Sequence, residues 1–431
     1  MQPLTTSHAP RQIDGIYSKL TELLLIGLLL VFIYPFFFAI SGIDPTIPSE
    51  FQSDTKIVYF LQLAFPFSCL AIAFMHRGLG LVLSLPGTIM IYPMICLTST
   101  IWSVDPYDTF KFASLLFLYI FAIAAICQIL DIEAFCRTIV KVLAFLILAS
   151  VVMAMAFPEY GRHQLRDSFE PFHDGLWRGV FVHKNLLGAA ACTGVFTFLF
   201  FPRLMDASLG FRVLCIAAST ACLIFAQSAG SWVALFALLI HYCLIRVLPV
   251  SRGVLVLIVF GFSALAFAAF SFFSEDLVAV VGRDTTFTGR TYIWPVVLDA
   301  VWEKPLLGFG SYAATADLIR PLLVGWIGSA DAHNGYLDVL LGTGIVGLGS
   351  LLFCISSVLV RGIGRVKTSG GLERDCFMLL LIFPISSLFF SFFEAFPISG
   401  VQSVLGALTF LALTAIPLYL RDRSNYQSQP T

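Results

Sequence analysis

Apolar blocks of about 20 residues, separated by short polar stretches, repeat along almost the whole chain, and each is long enough to cross a hydrocarbon core of about 30 Å as a helix. They fall at 20–40, 57–75, 79–100, 111–130, 140–157, 186–201, 212–227, 231–248, 254–273, 336–360, 375–393 and 399–420. In lipid only helices and closed barrels satisfy every backbone polar group, and the short alternating segments of a barrel are not seen. The pattern predicts an all-α integral membrane protein with about twelve transmembrane helices. Its expected organisation is an N-terminal tail at 1–19, nine helices over 20–273 with an outer loop at 158–185, a large outer loop at 274–335, three helices over 336–420 and a tail at 421–431.

Composition agrees: 58% of residues are hydrophobic and 12% charged, against about 25% charged in soluble domains. A soluble fold is excluded. With the N-terminus inside, the inner connections collect Arg77, Arg137, Lys141, Arg203, Arg212, Arg246, Arg252, Arg361, Arg365, Lys367, Arg374, Arg421 and Arg423. The short loops of the other side hold little beyond Lys56 and Lys111, so positive charge predicts both termini in the cytoplasm. The first apolar run is too long for a signal-peptide core and is expected to stay as the first helix. A net charge of -1 with no basic stripe gives no reason to expect nucleic acid. Nine of the ten cysteines lie in or beside apolar runs, Cys136 sits in a polar connection, and none forms a C-x-x-C pair, which predicts apolar packing roles.

Two outer segments are basic against the orientation rule, 158–185 with Arg162, Arg166, Arg178 and Lys184, and 274–335 with Arg283, Arg290, Lys304 and Arg320. Such a set suits an anion on the outer side; ordinary solvated loop charge is the plainer alternative. In Trp177-Arg178-Gly179-Val180-Phe181-Val182-His183-Lys184-Asn185, Asn185 is expected to cap the next helix. An anion there would feel the helix's positive end together with Arg178 and Lys184, although Trp and Lys could equally form an interfacial belt. In Thr288-Gly289-Arg290-Thr291-Tyr292-Ile293-Trp294 and the residues to Glu303, the apolar spacing predicts a short amphipathic helix at the outer membrane surface. Trp294 and Trp302 would anchor it, and Arg290 would stand at its entrance. Asp331-Ala332-His333-Asn334 leads into the tenth span, putting His333 in the first helical turn, where the positive dipole favours a neutral imidazole able to accept a proton.

Other chemistries find no support. There is no H-E-x-x-H motif, the seven histidines are too scattered for a di-iron oxidase, and no P-loop is present. Gly230-Ser231 lacks the nucleophile-elbow context of a serine hydrolase. The spans hold no ionisable residue near their centres except His241, read as a packed histidine, which disfavours ion-coupled transport.

Together Arg178-Gly179 with His183-Lys184-Asn185, Gly289-Arg290 with Ile293-Trp294 and Pro305-Leu306-Leu307-Gly308-Phe309-Gly310, and His333-Asn334 with Leu337-Asp338 and Gly344 resemble the O-antigen ligase and polymerase family. Within it the 177–188 stretch is most similar to ExoQ-like exopolysaccharide polymerases. The resemblance implies a multi-pass protein of the bacterial inner membrane that acts at the periplasmic face without a metal or other cofactor. The implied reaction is inverting glycosyl transfer from an undecaprenyl-diphosphate-linked oligosaccharide to an acceptor glycan. By position, Arg178 and Arg290 would bind the diphosphate and His333 would orient or deprotonate the acceptor hydroxyl. Lys184, Asn185, Asn334 and Trp294 would complete the substrate site. Chain-length regulator and flippase proteins are the implied protein partners. Polymerase is the first reading, O-antigen ligase acting on lipid A core the second, and a lipid-linked sugar transporter the alternative from another class.

Overall fold

The structure is a computed structural model that describes residues 9–33, 56–165, 173–281, 290–312, 332–394 and 398–426. Helices longer than one turn are α1 Ala9–Ile33, α2 Lys56–Arg77, α3 Gly87–Thr98, α4 Pro106–Cys127, α5 Ile132–Ala156, α6 Lys184–Phe200 and α7 Leu209–Ala226. They continue with α8 Ala229–Val247, α9 Arg252–Val281, α10 Arg290–Glu303, α11 Gly335–Thr368, α12 Gly371–Phe390 and α13 Val404–Tyr426. Among the described residues no strand forms, and one isolated antiparallel bridge joins Arg162 to Trp177.

Every apolar block overlaps a helix, but only eight of the described helices are long and apolar enough to cross a membrane. The stretches Gly87–Trp102, Lys184–Phe200 and Arg252–Leu265 are shorter apolar helices. The block expected at 79–100 is interrupted: one turn at Gly80–Leu83 ends before Pro86, and α3 starts at Gly87. Proline carries no N–H and disfavours helical geometry in the residue before it, so the helix has to restart. At the other extreme, α9 runs past the expected boundary at 273 to Val281.

Two helices make the centre. All of α12 from Cys376 to Phe390 is buried, and α13 is buried over most of its length. Both are apolar all round, as a helix surrounded by other helices must be. Tyrosines spend their hydroxyls on carbonyls of these central elements, buried Tyr119 on Ala407 at 2.9 Å and half-buried Tyr336 on Leu388 at 2.5 Å. His241 fits the packed role predicted for it, with Nδ1 2.6 Å from the Ala237 carbonyl and Nε2 3.3 Å from that of Val259. The cysteines are buried except Cys243. Cys136 corrects its sequence assignment: it lies inside α5, fully buried, with Sγ 3.8 Å from the Cys376 carbonyl, because α5 starts at Ile132, about two turns earlier than the apolar run suggests.

The bundle has two chemically different ends. One gathers basic residues predicted for the inner connections: Arg137 pairs with Asp206 at 2.6 Å, Arg203 with Asp375 at 3.8 Å and Arg365 with Glu373 at 2.7 Å. Lys367 there donates to the carbonyls of Leu248 and Val250. The other end carries the start of α6, the start of α11 and the last turn of α12, joined as described below.

One crossing at that second end is backbone against backbone. The segment 305–310 lies across α11 where Gly344 breaks the helix with φ 64° and ψ -168°. Ile345 N donates to Pro305 O, Phe309 N to Leu341 O and Gly310 N to Gly342 O, each at 2.9 Å. A Cβ on Gly344 would sit 2.2 Å from Leu306 O, and one on Gly308 2.5 Å from the Gly342 carbonyl carbon. The Gly-Phe-Gly stretch is therefore a strap that fills the hydrogen bonds left open by the helix break. Tyr312 pins the strap's far end by donating to Ser399 O at 2.8 Å. Burial, with the Cys96 thiol beside it, pushes this phenol well above its ordinary pKa, so it remains a donor.

Candidate functional site

The loop between α5 and α6 is held by its own backbone. Gly161 O accepts from both Arg178 N and Gly179 N at 2.9 Å, while His163 N donates to Leu176 O and Gly175 N to His163 O, also at 2.9 Å. Gly179 turns with φ 62° against Ser150, where a Cβ would lie 2.4 Å from the serine's own. Trp177 stacks on Phe225 with ring centroids 4.6 Å apart. Arg178 is 3% exposed, and it donates from Nε to Tyr160 O at 2.8 Å and from Nη2 to Glu159 O at 3.4 Å. Its charge is thus built into the loop instead of reaching out from it.

The cap expected at Asn185 belongs to His183. The backbone of His183 is extended, at φ -137° and ψ 148°, and its Nδ1 accepts from Asn185 N at 3.2 Å. Lys184 opens α6 and is buried. Asn185 instead reaches across to another helix end, where its Nδ2 donates to Glu394 Oε1 at 2.7 Å. The main-chain carbonyl of the same glutamate accepts from Gly335 N at 2.9 Å, alongside Ser391 O at 2.8 Å. Glu394 therefore clamps the start of α6 to the start of α11, the second through its backbone and the first through its side chain.

At α11 the cap is Asn334, whose Oδ1 accepts from Tyr336 N at 3.0 Å and Leu337 N at 3.2 Å. His333, expected inside the first turn, precedes the cap and is left-handed at φ 46°. Asn334 takes the cap position because its short amide can reach two orphan N–H groups. His333 keeps its neighbourhood to the positive helix end but is a loop residue. It is half-buried.

The amphipathic helix is present as α10. Ile293, Val297, Ala300 and Val301 are buried against Leu341, Phe309 and Ala332, so α11 and the strap cover its apolar face. Trp294 Nε1 donates to Ala332 O at 3.0 Å, next to His333, whereas Trp302 is 75% exposed. Arg290 is the first residue of α10; its side chain lies outside the described residues, as do Arg166, Asp331 and the stretches 282–289 and 313–331.

The described chain thus runs through one contiguous set of contacts, Lys184–Asn185 to Glu394, to Gly335 and Asn334, to Ala332 and Trp294. Two residue groups escaped the sequence reading. Glu394 lies at the end of an apolar block, and nothing local marks it as a clamp. His163, His173 and His183, scattered in sequence, converge in space, with one ring nitrogen from each lying within 4.8 Å of the others. Their even ten-residue spacing within one loop was the available signal.

What this defines first is a class: a polytopic helical membrane protein with two helix starts, a buried basic loop and a histidine assembled at one end. The O-Antigen ligase family model matches residues 213–352, roughly a third of the chain, spanning Arg290, Trp294, His333 and Asn334 but not the Arg178 loop. The chain is also similar to the "Exopolysaccharide production protein ExoQ" of Rhizobium meliloti (strain 1021), 28% identical over 234 residues. That match covers 49% of this chain and 52% of the relative, so the chain spans about half the length of the curated relative it matches. Together the two matches support an O-antigen ligase/ExoQ-like family for this chain, as the sequence motifs suggested.

Proposed function

We propose that the protein polymerises lipid-diphosphate-linked oligosaccharide repeat units into an exopolysaccharide at the outer face of the bacterial inner membrane. A hydroxyl of the acceptor glycan attacks the anomeric carbon of the donor. The new glycosidic C–O bond forms as the C–O bond to the diphosphate breaks with inversion, the hydroxyl proton passes to His333, and the lipid diphosphate departs with the electron pair. Diphosphate is a competent leaving group when its growing charge meets preorganised positive groups. Arg290 supplies a bidentate fork at the head of α10, and the start of α6 with Lys184 supplies positive charge. Arg178 adds its field from within the loop while fixing the carbonyls of residues 159 and 160. Asn334 and Trp294 hold the His333 turn.

The observation that carries this reading is the Glu394 clamp, which ties the phosphate-suited start of α6 to the His333–Asn334 turn. The match to the O-Antigen ligase family model favours a second reading in the same chemistry, transfer of a finished glycan to lipid A core. A deletion strain separates them. Single repeat units accumulating on the lipid carrier support the polymerase, long lipid-linked polymer supports the ligase, and an unchanged set of lipid-linked glycans on the outer face sinks both.

A further inference from the structure

We infer that His163, His173 and His183 form a binding site for one divalent transition-metal ion, of which zinc is the representative. The three rings meet pairwise edge to face with centroids 5.2–5.5 Å apart. His163 and His173 are 4% and 6% exposed, and the ring nitrogens all lie within 4.8 Å of one another. Zinc holds imidazole nitrogen at about 2.0–2.1 Å, which sets nitrogens about 3.4 Å apart in a tetrahedron; each ring has to move inward by less than about 1 Å to reach it.

The backbone is already fixed for this. The two bonds between His163 and the 175–176 turn, and the bond from Leu176 N to His173 O at 3.0 Å, set the first two rings. His183 is set by the start of α6. The hydrogen bonds also define which lone pairs are on offer. His163 Nε2 accepts from Lys184 N at 3.2 Å and His183 Nδ1 accepts from Asn185 N at 3.2 Å. A ring nitrogen that accepts is unprotonated, so the same two lone pairs can turn to a metal in exchange for two long hydrogen bonds.

Three imidazoles choose a borderline ion, zinc, cobalt or nickel, over magnesium or calcium, and leave a fourth position for a further ligand. The helix start and Lys184 are positively disposed and oppose a dication. Arg178, whose donors go to the carbonyls of residues 159 and 160, adds to that opposition, and ligation by three imidazoles has to outweigh it. The ion would act by position, joining residue 163, residue 173 and the head of α6 into one unit and so holding the Arg178 turn. The transfer step proposed above does not use it, and the test does not depend on that step.

The experiment uses the full chain in detergent, without a histidine tag, stripped with a chelator and titrated separately with zinc, cobalt and magnesium. The expected result is roughly one zinc per chain, an upward shift in Tm that a chelator reverses, and no effect of magnesium. Cobalt should give the visible bands of a four-coordinate nitrogen site. His163→Gln and His173→Gln should each lose the bound zinc and the Tm shift, whereas His173→Cys should keep them. The proposal is overturned if folded wild-type protein binds less than about 0.1 zinc per chain at micromolar zinc, if cobalt shows only the aqueous spectrum, or if folded His→Gln variants bind as much zinc as wild type.

Discussion

Glu394 does two jobs with two different atoms, and only one of them can be removed by substitution. Its carbonyl grip on Gly335 N survives any replacement, while its carboxylate grip on Asn185 does not. A hydrogen bond to a charged group is worth about 1.5–3 kcal/mol, the lower end applying to a half-buried one, so Glu394→Ala should lower polymer synthesis roughly ten-fold. Glu394→Gln, which still offers an acceptor to Asn185 Nδ2, should recover most of it; equal loss in both variants, measured as lipid-linked product per unit time in membranes, would sink the clamp. For the reacting groups the expected effects are larger. His333→Ala should lower the rate about 10²–10⁴-fold and Arg290→Ala about 10²–10³-fold, at unchanged protein level in the membrane fraction. Full-length polymer at a normal rate from either variant would remove that residue from the chemistry. The sequence allowed these two positions to be singled out because each stands at or just before a helix start after a polar stretch. It hid Glu394 because an acid at the end of a span looks the same whether it faces water or two other helices.

Among the elements, α11 and the strap over it depend on glycine at two places for different atoms. Gly344 holds a backbone conformation that costs other residues about 1–3 kcal/mol, and its Cβ would press on the Leu306 carbonyl. Gly344→Ala should therefore lower the detergent Tm by several degrees, and Gly308→Ala should do the same from the strap side. Gly349→Ala, with open space at its Cβ, is the control and should leave Tm unchanged; a similar loss in all three would show that the crossing is not what the first two substitutions disturb. Helix positions were legible from apolar length because a membrane demands it. Helix breaks were less so: Pro86 stops a helix whereas Pro66, Pro93, Pro384 and Pro417 lie within helices, and only tertiary packing decides between the two outcomes. The α6 cap expected at Asn185 falls two residues earlier, at His183, and His333, expected in the first turn of α11, lies before the Asn334 cap.

For the whole molecule, the separation of a paired basic end from an end carrying the two clamped helix starts gives orientation a direct test. With exposed Cys243 replaced by serine, Asp174→Cys should react with a membrane-impermeant thiol reagent in intact spheroplasts, and Arg421→Cys only after lysis. The reverse order would put the candidate site on the cytoplasmic side and end the proposed donor chemistry. The two-ended charge distribution was readable from sequence because orientation is set by short-loop charge; the histidine triad shows only as an even spacing, and its convergence depends on the path of the loop, which spacing alone does not set. The Asn185–Glu394 contact also has a consequence for how such chains can diverge. The two positions lie more than two hundred residues apart yet share one hydrogen bond, so they cannot drift independently. An aspartate at 185 would face a carboxylate, and in a descendant that carried it, position 394 should have lost its charge or become basic.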